Sequence, residues 1–124
     1  MEGLLLFAHG ARDPAWARPF EAIAARIAAA RPQLPLALAY LELMQPDIAT
    51  AAETLILHGC TRIHIVPMFL GASGHVRRDV PPLVDSLRAR HGQEWLLHPA
   101  IGEQDAVMQA MADASLAFLS KPHA

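Results

Sequence analysis

Cysteine is almost missing: Cys60 is the only one in 124 residues. No intramolecular disulfide can form, and a cysteine-rich zinc site is excluded. That usage suits a reducing compartment. Aromatic residues are only 6% of the chain, charged residues 18%, and the formal net charge is −2. The basic footprint of a nucleic-acid binder is therefore absent, and no nucleic-acid partner is expected. No apolar run approaches the roughly 18 residues that span a bilayer. The apolar run at residues 4–8 is preceded by Glu2 rather than by the positive start of a signal peptide. The expectation is a cytoplasmic protein with no membrane partner. The stretch Gly71-Ala72-Ser73-Gly74 lacks the spacings of the two common glycine-rich phosphate loops, and no organic cofactor is expected.

What is present is an alternation of short apolar runs with helical patterns. Leu4 to Ala8 is a continuous apolar run closed by Gly10 shortly after, as in a strand buried on both faces. Asp13-Pro14 then offers a helix cap and a first-turn proline. Trp16, Phe20, Ile23 and Ile27 recur at helical spacing up to Pro32. Leu36 to Leu41 forms a second strand. Pro46 opens a second helix, with Ile48, Ala52, Leu55 and Ile56 inward, and Gly59 stops it. Arg62 to Val66 is the third strand, rich in β-branched residues. Asp79, Pro81 and Pro82 mark a helix start, with Val80, Val84 and Leu87 on one face. Glu94 to Leu97 is a short fourth strand. Gln104 to Leu119 is a last helix, with Val107, Met111, Ala114 and Phe118 inward, and residues 120–124 form a frayed tail.

Four strand–helix alternations predict an α/β fold. It is a single three-layer domain over residues 1–119, with a four-stranded parallel sheet and helices on both faces. In such sheets, ligands bind beyond the carboxyl ends of the strands. Two histidines are placed for that edge. His9 directly follows the first strand, and His75 follows the third through a glycine-flanked loop. Converging imidazoles suit a borderline divalent metal such as cobalt, nickel, iron or zinc. Each histidine alone also fits a plain strand-end or surface role; the pairing favours function. Glu42, just after the second strand, is placed to be a third ligand or a proton acceptor if that strand flanks the first. Arg12, Arg77 and Arg78 flank the histidines and suit carboxylate or phosphate groups. Phe69 and Leu70 fit a core or a cleft wall. Asp79 reads as a helix cap. His58, His64, His91, His98 and His123 are weaker candidates, and Cys60 reads as a buried filler.

The stretch Val66-Pro67-Met68-Phe69-Leu70-Gly71-Ala72-Ser73-Gly74-His75-Val76-Arg77-Arg78-Asp79-Val80-Pro81 resembles the second-histidine motif of the class II chelatases. Phe7-Ala8-His9-Gly10-Ala11-Arg12-Asp13-Pro14 resembles their first-histidine motif, and Leu41-Glu42 matches the place of a family acidic residue. These enzymes include the sirohydrochlorin cobalto- and ferrochelatases of the CbiX and SirB type. The resemblance runs across nearly the whole chain. It implies half of the class II chelatase fold and insertion of a divalent metal substrate (Co2+, Fe2+ or Ni2+) into a carboxylate-rich tetrapyrrole. It also implies that His9 and His75 form the metal site. The arginines would then anchor the acidic rim, and Phe69, Leu70 and Met44 would line the flat face. One copy of the unit resembles the short family form that works as a homodimer. Two other readings share the histidines. One is a non-catalytic metal-binding or metal-delivery module. The other is a histidine phosphatase, which would place an arginine where Ala8 stands.

Overall fold

Strand β1 (Glu2–Ala8) is apolar from Leu4 to Ala8, so it is stable only where both faces and both edges are covered. The computed structural model describes residues 1–71 and 74–119, apart from the side chains of His75 and Val76. In it β1 pairs in parallel with β2 (Leu36–Tyr40) on one side and β3 (Arg62–Pro67) on the other. Strand β4 (Glu94–Leu97) pairs in parallel with β3, giving the order β2-β1-β3-β4. Leu5 lies opposite Ala37 and Ile65, and Phe7 opposite Ala39 and Pro67.

The two-residue period of the strands divides the core. On one face Leu5, Phe7, Ile63, Ile65 and Trp95 meet α2 (Ile48–Leu57) through Ala51, Ala52 and Leu55. The same layer meets α3 (Gly74–Arg90) through Val80, Val84 and Leu87. On the other face Ala8, Leu38 and Tyr40 meet Trp16 and Ala17 of a 3-10 turn (Pro14–Ala17) and Phe20 of α1 (Arg18–Ala30). Phe7, Leu5, Ile63 and Ile65 are fully buried; each such side chain contributes roughly 1.5–3 kcal/mol. The centre of the sheet is therefore the rigid platform from which the strand-end loops emerge. No described helix is long and apolar enough to cross a membrane.

Three local expectations are corrected. Helix α2 is opened by Asp47, whose Oδ1 accepts the Thr50 N–H at 2.9 Å, not by Pro46, which precedes it after a cis peptide bond. Helix α3 begins at Gly74, so Asp79 lies inside it and is not its cap. Pro81 and Pro82 have no N–H to give the Arg77 and Arg78 carbonyls, a loss that usually ends a helix. Here Val80, Val84 and Leu87 are all buried in one core, and that packing carries the helix through both prolines.

The third correction concerns α4 (Asp105–Leu119), which follows a 3-10 turn (Ile101–Glu103). None of its residues is buried, and Met111 and Phe118, expected to face inward, are exposed. Its apolar pattern is real, but the chain's own sheet does not receive it. The expected tail at residues 120–124 lies outside the described residues.

Candidate functional site at the carboxyl edge of the sheet

The β1–β2 ladder continues past the ends of both strands. The Leu41 N–H donates to the Ala8 carbonyl at 2.9 Å, and the Glu42 N–H donates to the His9 carbonyl at 3.1 Å. These two bonds place His9 and Glu42 side by side. Their side chains approach to 3.4 Å between His9 Nε2 and Glu42 Oε1, about 39% and 51% exposed. The expected adjacency of the second strand to the first is what brings the carboxylate to the histidine.

Gly10 makes the approach possible. Its φ is +98°, a region that side chains disfavour, and a Cβ there would sit 1.9 Å from the Glu42 carbonyl oxygen. On the other strand, the Met44 N–H donates to the Glu42 carbonyl at 2.8 Å across Leu43, which holds φ at +65°. A non-glycine residue at positive φ is strained. So the two turns that carry the pair both hold unusual backbone.

Phe69 closes the third side. Its ring meets the His9 imidazole edge-on at 6.5 Å between centroids. The Met68 N–H donates to the Phe7 carbonyl at 2.8 Å, which ties this loop to β1. Beyond Phe69 a cavity of about 140 Å³ opens at the ends of β3 and β4, walled by Phe69, Arg77, Pro81, Leu97 and His98 among others. His9 does not line it. That volume is well below the ~300–1,000 Å³ of ordinary small-molecule sites, and beside it the His9–Glu42 pair, about 39% and 51% exposed, forms an open ledge among the described residues.

His75 lies in the first turn of α3, at the end of the loop from β3. Its side chain is outside the described residues. Among the described residues no group of three or more histidine, cysteine, aspartate or glutamate side chains is arranged to hold a metal ion. Of the arginines, Arg77 faces the cavity, whereas Arg78 Nε donates back to the Gly74 carbonyl at 3.2 Å. Arg12 is exposed in the turn after Gly10. Leu70 is exposed, while its backbone packs on Gly102. Met44 packs on the Ala8–Tyr40 cluster instead of on the ledge. Burial pushes the Cys60 thiol up, so it stays an inert filler.

Two features escaped sequence reasoning. One is Gly102: a Cβ there would lie 2.1 Å from the Leu70 carbonyl oxygen, and its N–H donates to the Phe69 carbonyl at 2.9 Å. The contact joins loops far apart in sequence, and a lone glycine gives no local sign of it. The other is a chain of three polar groups. A His64 ring nitrogen bonds Glu2, and its other nitrogen meets His98 Nε2 at 2.8 Å. Alternation in β3 puts His64 on the face away from α2 and α3, and β-strand register sets Leu96 beside it. The hydrogen bond from His64 is the first cause that holds the Glu2 carboxyl below its ordinary value.

Fold and site define a small parallel α/β domain with a histidine–carboxylate pair at the carboxyl edge of its sheet, and with a second histidine, His75, at the start of the helix that follows β3. The CbiX family profile matches residues 3–116, and the chain belongs to this family, of the CbiX/SirB-type class II chelatases. A sirohydrochlorin ferrochelatase of Priestia megaterium is 34% identical over 74 residues, which are 60% of this chain and 27% of that protein. A sirohydrochlorin cobaltochelatase of Methanocaldococcus jannaschii is 32% identical over 92 residues, 73% of this chain and 64% of that protein. The chain thus spans from about a quarter to just under two thirds of these relatives. A crystal structure from Marinobacter aquaeolei VT8, assigned as a cobalamin (vitamin B12) biosynthesis CbiX protein, superposes with a TM-score of 0.85 at 30% identity. It covers 98% of this chain and 100% of that one. SirB from Bacillus subtilis with Fe3+ shares the fold with a TM-score of 0.80 at 24% identity. There the match covers 98% of this chain and 48% of the longer one.

Proposed function

We propose that this chain is a sirohydrochlorin chelatase that inserts a divalent metal, cobalt, iron or nickel, into a carboxylate-rich tetrapyrrole. The observation that carries this reading is the His9–Glu42 pair at 3.4 Å on the carboxyl edge of the sheet. Membership of the CbiX family supports it, as do relatives named for cobalt and for iron chelation. Residues 1–119 act as one domain, the working unit is a homodimer, and the compartment is the cytoplasm. No organic cofactor takes part.

In this reading His9 and His75 are the metal-site residues. Metal insertion exchanges two pyrrole N–H protons for one divalent ion, so the site must hold the ion loosely and accept protons. Few protein ligands with open positions suit transfer, whereas a closed four-ligand cage would trap the ion. A neutral imidazole can take a pyrrole proton near neutral pH. The Glu42 carboxylate, 3.4 Å from His9 Nε2, is placed to orient the imidazole toward the reacting centre. Phe69 and Leu70 border the macrocycle, and Arg12, Arg77 and Arg78 meet its acidic rim.

The test follows the absorption spectrum of sirohydrochlorin with Co2+ or Fe2+. His9→Ala and His75→Ala are expected to lower the insertion rate by about 10²–10⁴-fold, the usual weight of a positioned proton acceptor, with circular dichroism unchanged. Wild-type rates in either variant would remove the mechanism. The open ledge and the small neighbouring cavity favour one second reading, a metal-delivery module. Metal binding by the wild-type protein without accelerated insertion would establish that reading instead.

A further inference from the structure

Three side chains that the proposed site does not use meet on the sheet face away from α2 and α3. Glu2 bonds His64 Nε2, and His64 Nδ1 lies 2.8 Å from His98 Nε2. Strand register makes this line. Glu2 pairs with Arg62 and His64 with Leu96, so the two-residue period sets Glu2 and His98 diagonally on either side of His64. The His98 backbone N–H donates to the Ile65 carbonyl at 3.0 Å and fixes that end.

The protons in the line can be placed. The Glu2 carboxyl is held below its ordinary value, first by the hydrogen bond from His64, so it accepts as a carboxylate. His64 Nε2 therefore donates, and its Nδ1 carries the lone pair. Nitrogens 2.8 Å apart are too close for rings stacked face to face. With planes 10° apart and centroids at 5.1 Å, the two imidazoles meet edge to edge. A single proton, on His98 Nε2, fills the gap between them. Once His98 holds its proton on Nδ1 instead, two lone pairs converge on one point.

A cation suits that point. Two nitrogens each roughly 2.0–2.1 Å from a divalent ion, at right angles, stand about 3 Å apart. The observed 2.8 Å is close to this, and a turn of the exposed His98 ring aims both lone pairs at the ion. A carboxylate that takes the other N–H of a ligating histidine fixes its tautomer and makes its free nitrogen more basic. Glu2 stands in that place, behind His64 and off the ion. The His64 and Glu2 side chains are about 26% and 58% exposed, so further coordination positions open on water.

We infer that His64 Nδ1 and His98 Nε2, backed by the Glu2 carboxylate, form a second metal site that takes a borderline divalent cation such as Ni2+ or Co2+. Imidazole pairs suit this class of ion, and two protein ligands hold it exchangeably. The ion replaces the proton between the two nitrogens. A neutral pair moves that proton to His98 Nδ1 and releases none; a pair carrying one extra proton releases one. The site is separate from the His9 edge: His64 is registered with Leu4, and His9 lies five residues farther along, roughly 16 Å at ~3.3 Å per residue. His98 also walls the cavity behind Phe69, whose ring meets His9.

Equilibrium dialysis against Ni2+ tests the site after the His9 edge is disabled. His9→Ala with His75→Ala is expected to retain one Ni2+ per chain at micromolar metal. Adding His98→Ala, at an exposed position, is expected to release that ion with circular dichroism unchanged, and adding His64→Ala to do the same. Glu2→Gln in that background is expected to keep the stoichiometry and weaken affinity by about 10–100-fold, the usual weight of a carboxylate behind a ligating histidine. A purely structural line of hydrogen bonds would lower thermal midpoints and leave Ni2+ affinity unmoved. Absence of Ni2+ from the His9→Ala, His75→Ala protein would overturn the inference, and so would an ion retained after both His64→Ala and His98→Ala. Neither outcome depends on whether the chain inserts metal into a tetrapyrrole.

Discussion

Gly10 is the residue on which the candidate site turns. Its φ of +98° and the 1.9 Å approach of a Cβ to the Glu42 carbonyl act together. Relief of one does not relieve the other, since the His9 and Glu42 backbones are tied by a hydrogen bond on the same ladder. Gly10→Ala is therefore expected to cost more than about 2 kcal/mol, and to lower insertion activity further than the stability loss explains by parting His9 from Glu42. Denaturant melts with a parallel activity assay check both. Leu43 is the converse case, a side chain where positive φ favours glycine. Leu43→Gly is expected to preserve or raise stability, because an exposed side chain is given up while strain is released. Glu2 supplies a pH prediction. Its carboxyl is held below the ordinary value of 4.5, first by the hydrogen bond from His64. A lowered folded-state value means stabilisation that is present above the unfolded value and lost as pH falls through the folded one. Glu2→Gln is expected to flatten the stability curve below about pH 4.5, with little change at pH 7 and above in its slope. The motif glycine beside His9 was visible in the chain. Leu43 and the Glu2–His64–His98 chain were not, because turn strain and cross-strand neighbours depend on register.

At the scale of elements, legibility follows how local the deciding contacts are. Strand β4 falls at Glu94–Leu97 as expected, and Gly59 stops α2 with φ at +89°. Each is settled by a few adjacent residues. The start of α3 is settled by Val80, Val84 and Leu87 reaching a core built from β1, β3 and β4, so two prolines mislead a local reading. That conflict is testable. Pro82→Ala restores an N–H for the Arg78 carbonyl at an exposed position, and is expected to raise stability by about 1–3 kcal/mol, seen as a higher thermal midpoint. The same argument with opposite sign applies to α2. Asp47→Ala removes the acceptor for the Thr50 N–H and is expected to cost about 1 kcal/mol. His58 caps the other end of that helix, its Nδ1 2.8 Å from the Thr54 carbonyl. It stands where α2 hands over to the start of β3, at the edge of the sheet opposite His9.

At the scale of the molecule, the candidate site leans on one joint between two loops. The loop from β3 carries Phe69 against His9 and leads to His75 at the start of α3. The loop from β4 leads through Gly102 to α4. Gly102 is where they touch, a Cβ there lying 2.1 Å from the Leu70 carbonyl oxygen and 2.3 Å from its Cα. Neither backbone can yield without moving the element behind it. The apolar pattern of α4 was legible in the sequence, but its exposure was not, since such a pattern reads the same whether or not the chain's own sheet receives it. Gly102→Ala is accordingly expected to lower metal insertion and stability together, by displacing the loop that holds Phe69 against His9, whereas His9→Ala lowers insertion alone. Thermal melts and insertion rates measured on both preparations decide the matter. If Gly102→Ala moved neither readout, the two loops would be mechanically independent.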